Sequence, residues 1–152
     1  MSSKSRVVIL ALCWVALFSF LSARRDRMQS ESMAFLHSLQ GTEIQKIFIS
    51  DQKGSPLATV SSPAALGAFA QAANSVAPYR PNHPSFAKAY LVELYLTNGQ
   101  ERDFEFHLMS PPSRTSYVYF VGRSGDFISY FGNCQSPALF DWLKAQLPPT
   151  AP

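Results

Sequence analysis

Residues 89–109 read AYLVELYLTNGQERDFEFHLM, and the way this stretch folds back on itself decides the fold. Two runs rich in apolar and aromatic residues, Ala89–Leu96 and Gln100–Met109, flank Asn98-Gly99. The dipeptide alone predicts a two-residue hairpin loop. That loop would set Leu94 opposite Asp103 and Val92 opposite Glu105, mixing apolar and charged side chains on one face. A three-residue loop, Thr97-Asn98-Gly99 with Gly99 left-handed, instead pairs Leu94 with Arg102, Val92 with Phe104 and Tyr90 with Phe106. A one-residue slip moves every side chain to the other face, so burial selects the three-residue loop.

This register puts Glu93, Glu101, Asp103, Glu105 and His107 together on the other side of the hairpin. Such an acidic face offers a divalent-cation site or a docking surface for a basic partner. The plainer expectation is the solvated face of a one-sided sheet. Glu93 and Asp103, directly opposite, then repel mildly.

Working outward, Glu43–Ser50 and Leu57–Ser61 read as strands around the turn Asp51-Gln52-Lys53-Gly54. Ser62-Pro63 opens a helix with Ser as N-cap and Pro at the first helical position. Leu66, Phe69, Ala70, Ala73 and Val76 form its apolar stripe. Residues 77–86, APYRPNHPSF, carry three prolines and read as irregular. Tyr117–Val121 and Phe127–Phe131 make a second hairpin. Ser136-Pro137 opens a last helix, with Leu139, Phe140, Leu143 and Leu147 facing the core and Pro148-Pro149 ending it. The order ββαββββα predicts an α+β domain over residues 41–148: one antiparallel sheet of about six strands with two helices on one face. Residues 149–152 read as a disordered tail.

Upstream, residues 7–23 read VVILALCWVALFSFLSA, uncharged and with only Ser19 and Ser22 polar. As a helix this run is roughly 25 Å long, near the lower limit for crossing a hydrocarbon core. A short basic tail, residues 1–6, precedes it, and Arg24, Arg25 and Arg27 follow it. The expectation is an uncleaved transmembrane signal-anchor over residues 7–23, then a juxtamembrane stalk helix over 24–40. A cleaved signal peptide and secretion form the alternative, disfavoured because Leu21 occupies a position where a small residue is wanted. Charges on the two flanks are balanced, so the positive-inside rule does not decide orientation. The short amino-terminal tail favours an extracytoplasmic domain.

Residues 1–40 hold five Lys/Arg and two acids, whereas residues 41–152 hold eight of each. The basic excess flanks the apolar segment, which fits lipid headgroups and excludes a nucleic-acid-binding face as its explanation. No Walker, Rossmann or nucleophile-elbow pattern occurs, and three histidines lack ligand spacing, so no cofactor and no metal are expected. Cys134 with His107 or His83 offers a weak Cys/His hydrolase reading; a structural cysteine is the simpler one. The segment Tyr79, Arg80, His83, Phe86 presents aromatic, cationic and imidazole groups on a proline-stiffened backbone that loses little entropy on binding. Arg114 and Arg123, from other loops, complete an anion site with Arg80 if the fold gathers them. Together these features suggest a membrane-anchored, non-enzymatic binding or accessory module of the cell envelope, with the bilayer and an envelope protein as partners. A small-ligand or lipid-binding domain, using the concavity between sheet and helices, is the alternative.

Overall fold

The computed structural model describes the backbone of residues 3–79, 85–124 and 127–149, and side chains over 12–79, 85–122 and 132–149. Its architecture is α+β: three helices and one antiparallel sheet of seven strands. Helix α1 (Ser3–Ser38) leads through a short 3-10 turn (Gly41–Glu43) into strands β1 (Ile44–Asp51) and β2 (Pro56–Val60). Helix α2 (Pro63–Ala73) follows, then β3 (Ala77–Pro78), β4 (Phe86–Leu96), β5 (Glu101–Met109), β6 (Ser116–Ser124), β7 (Phe127–Ser136) and helix α3 (Pro137–Gln146). The spatial order is β2-β1-β4-β5-β6-β7-β3. Helix α2 therefore carries the chain from one edge of the sheet to the other.

The central hairpin adopts the register expected from burial. Tyr90, Val92 and Leu94 lie opposite Phe106, Phe104 and Arg102. Gly99 sits at φ +80°, and its N–H donates to Leu96 O at 3.0 Å. Both Ser-Pro helix starts form as their residue types require. Ser62 Oγ accepts from Ala65 N at 3.3 Å and Ser136 Oγ from Leu139 N at 3.1 Å.

The segment 77–86 is more ordered than its prolines suggest. Ala77 and Pro78 pair with Gln135 and Cys134 of β7, forming a seventh strand, and Phe86 already belongs to β4. Pro78 is tolerated because β3 is an edge, where the missing N–H costs no ladder bond. Residues 80–84 lie outside the described residues.

One face of the sheet, through Ile47, Ile49, Val92, Leu94, Phe104, Phe106, Val118 and Phe120, meets the helices. Helix α2 contributes Leu66 and Phe69, and α3 contributes Leu139 and Leu143. Trp142, not assigned to the core from periodicity, packs edge-on against Phe69 at 4.8 Å and donates its Nε1–H to Ala65 O at 3.0 Å. A third helix joins this layer. The last turns of α1 bury Met33 and Leu36, and Leu39 follows them into the core. Phe35 stacks on Phe104 at 6.5 Å. The carboxamide of Asn74, with its nitrogen toward α1, donates to Leu36 O (2.7 Å) and His37 O (2.6 Å), two carbonyls that the helix end leaves unpaired. The rest of α1 from Leu12 to Arg27 is exposed.

Among the described residues no helix is long and apolar enough to cross a membrane. The side chains of residues 7–11, which begin the seventeen-residue apolar run, lie outside them.

The layer is tightest where the 3-10 turn meets α2. A Cβ on Gly41 would stand 2.6 Å from Gly67 Cα and 2.9 Å from Gly67 N, backbone atoms that cannot rotate away. Gly41→Ala should therefore destabilise the domain by about 1–3 kcal/mol, the usual cost of overpacking. Urea unfolding followed by tryptophan fluorescence measures this. A variant as stable as the parent would mean that the turn and α2 can separate freely.

Candidate functional site

The face of the sheet turned away from the helices is not a plain solvated surface. His107 is 6% exposed and Tyr117 2%, although both side chains point away from the main core. The two residues are direct cross-strand partners on β5 and β6. Tyr79 packs on Tyr117 at 5.2 Å, and Phe86 packs on His107 at 4.2 Å. Tyr119 lies 5.0 Å from His107 and 4.5 Å from Tyr117. One cross-strand pair thus pins both ends of the segment between β3 and β4. The signal for this burial was the unbroken run Tyr117-Val118-Tyr119-Phe120-Val121. A strand with one wet face alternates, whereas a run apolar on both parities is covered on both faces.

Within this cluster Glu105 Oε1 lies 2.8 Å from His107 Nε2. The Nδ1 atom of His107 is buried and has no hydrogen-bond partner among the described residues. Burial lowers the imidazole pKa below its ordinary value, against the opposing pull of Glu105. The ring is therefore neutral near pH 7, and its Nε2–H donates to the carboxylate. Burial chiefly, and then the hydrogen bond with Tyr119, pushes the Tyr117 hydroxyl well above the usual phenol range.

The expected acidic face is present in part. Glu93 and Asp103 oppose each other as the register demands, and Glu101 is exposed. Glu105 is engaged by His107 and all but removed from solvent. Among the described residues, no three carboxylate, imidazole or thiol groups converge as a metal site. At the far end of the same face the acids give way to Lys46, whose ammonium lies 4.9 Å from the Phe48 ring centre and 4.7 Å from that of Tyr95.

Of the expected arginine cluster only Arg114 lies among the residues whose side chains are described. Arg114 pairs with Asp141 on α3 at 3.0 Å, both side chains being well exposed. Arg80, His83 and the side chain of Arg123 lie outside the described residues. Nor do a thiol and an imidazole meet on β5–β7. Cys134 is fully buried on the helix side of the sheet, beside Val118, whereas His107 occupies the opposite face. Burial drives the Cys134 thiol up to about 12, so it stays protonated. His37 donates its Nε2–H to Val76 O at 2.9 Å.

No family model, curated protein sequence or solved structure gives a significant match to this chain. Function is therefore argued from the molecule itself.

A second feature lies on the helix side of the sheet. Where β4 begins and β5 ends, α3 and the β1–β2 turn stand apart from the sheet and leave a cleft of about 860 Å³. Tyr90, Leu108, Phe140 and Leu147 supply apolar lining, and Lys53, Lys88 and Lys144 come from three separate elements. Asp51 also lines it, but its Oδ1 accepts from the backbone N–H groups of Lys53 and Ser55, both at 2.8 Å. These bonds, that from Ser55 first, hold its carboxyl below the usual range. Residues from five elements separated by up to about a hundred positions build this cleft, and no local pattern announces it.

The buried imidazole sets a pH dependence. Its folded pKa lies below the reference of 6.5, so below about pH 6.5 the unfolded chain holds more protons than the folded one. Stability present above that pH is lost as pH falls toward the folded value. Between pH 7.5 and 5.5 the His107 contribution should fall by up to about 1 kcal/mol. His107→Gln, which is always neutral, should lack that part of the decline in urea unfolding at the two pH values. Equal pH slopes for variant and parent would show that the ring titrates normally. For Cys134, alkylation at pH 8 should proceed only as fast as the domain unfolds.

Proposed function

We propose that this chain is a membrane-tethered, non-enzymatic binding module of the cell envelope. In this reading α1 enters the bilayer through residues 7–23, and the domain lies on the extracytoplasmic side. The supporting observation is the exposed apolar stretch of α1. Leu12, Trp14, Val15, Leu17, Phe18, Phe20 and Leu21 are each between 50% and 76% exposed. Transferring one such side chain out of water is worth about 1.5–3 kcal/mol. Seven together amount to something on the order of 10 kcal/mol, as large as the whole stability of a typical domain. A surface of that size calls for cover, and an uncharged apolar run closed by Arg24 and Arg25 has the composition that lipid requires.

The helix continues without a break from this stretch into the core, so the tether and the domain form one element. Confinement to two dimensions raises the effective concentration of the domain near a neighbouring envelope protein. The segment from Tyr79 to Phe86 is the surface this reading gives to such a partner. Both its ends are pinned on the Tyr117–His107 pair, which lowers the entropy lost on docking. A second reading, a small-ligand or lipid-binding domain, is favoured by the cleft beside α3.

Fractionation tests the tether. The full chain should stay in the membrane pellet after alkaline carbonate extraction, whereas a chain starting at Arg24 should move to the supernatant. A full chain with an intact amino terminus that remains in the supernatant would remove the tether and the partner argument with it. Protease added to intact cells reports the side. For the partner surface, crosslinking in membranes should lose at least one adduct on Arg80→Ala.

A further inference from the structure

The cleft beside α3 joins an apolar floor to a cationic rim. Tyr90 and Leu108 come from the helix-facing side of the sheet, and Phe140 from α3. Lys53 stands on the β1–β2 turn, Lys88 on β4 and Lys144 on the last turn of α3. We propose that this cleft binds a single-chain amphipathic anion, its acyl tail lying on Tyr90, Leu108 and Phe140 and its acidic head held by Lys53, Lys88 and Lys144. The proposal rests on the domain being a binding module. It does not rest on the tether.

Charge and shape select this occupant. None of the three lysines has an ion-pair partner at salt-bridge distance among the described residues. Asp51, the one acid in the described lining, already accepts two backbone N–H groups on one oxygen. Three ammonium groups around one opening thus face a single carboxylate, Asp51, whose charge acts on Lys53, and leave a net positive rim for an anionic head. Their aliphatic stems extend the apolar wall while the charges stay at the mouth.

β1 pairs with β4 only from Tyr90 onward, so the short edge of residues 86–89 is open to an added strand. The apolar floor with lysines at its rim nevertheless favours a hydrocarbon tail joined to an acidic head over a peptide, whose backbone amides would lie unpaired wherever the strand left that edge. The cleft volume of about 860 Å³ lies in the range of small-molecule sites, roughly 300–1,000 Å³.

Photolabelling tests the assignment on the full chain reconstituted in phosphatidylcholine nanodiscs. The probe is a hexadecanoate carrying a diazirine near the end of its tail. Peptides covering residues 87–90 and 140–149 should be labelled. Excess hexadecanoate or palmitoyl lysophosphatidate should compete, the stronger of the two identifying the natural head group, while hexadecanol should compete at least fivefold less well. Lys88→Met with Lys144→Met should cut the cleft label at least fivefold with an unchanged melting temperature. Leu147→Trp, which fills the cleft from α3, should do the same without altering charge.

Equal competition by hexadecanol, or labelling confined to residues 7–23, would overturn the proposal. So would a cleft label indifferent to both the lysine and the Trp variants. Incorporation into nanodiscs is scored separately. A chain that stays out of them yet labels in the cleft keeps this assignment and loses the tether, and the converse outcome does the reverse.

Discussion

The pairing of β4 with β5 is the constraint on which the rest of the molecule depends. Because side chains alternate across a strand, the placement of Val92 opposite Phe104 rather than Glu105 decides which side of the sheet can be dry. Once that side is apolar, α2 has a surface broad enough to cross from the β2 edge to the β3 edge, and α3 can return over it. The same register puts Glu105 and His107 on the reverse side. There the β5–β6 register sets His107 against Tyr117, the pair on which Tyr79 and Phe86 find purchase.

Helix α1 has two chemistries along one axis. Its carboxy-terminal turns are part of the core, held by Phe35 on Phe104, by Gln29 donating to Asn133 O at 3.0 Å, and by Asn74 at the helix end. Its other half carries exposed apolar side chains from Leu12 to Leu21. These halves are not joined by a flexible linker, so whatever covers the first also restricts how the domain is presented. The Arg27–Glu31 pair between them, highly exposed on both sides, adds little to that rigidity.

The cleft and the aromatic face lie on opposite sides of the sheet and differ in kind. On the aromatic side His107, Tyr117 and Tyr119 pack ring against ring, and Glu105 is used internally by His107. The cleft, by contrast, sets three lysines against one carboxylate in its described lining. Unspent interactions of this sort mark a place where a ligand gains free energy on arrival, whereas the aromatic seam is already complete.

Much of this molecule was legible in its residue order. Alternation in residues 89–109 determined the central register, and the two Ser-Pro starts determined where α2 and α3 begin. These are local properties, written in spacing and composition. Tertiary structure alone decided that Met33, Leu36 and Leu39 belong to the core, that Ala77-Pro78 forms an edge strand, and that Arg114 meets Asp141. It alone drew Lys53, Lys88 and Lys144 around one opening. The physical reason is sequence distance. Periodicity reports which face of an element is apolar, but which elements meet across that face depends on how the whole chain closes its surface from water.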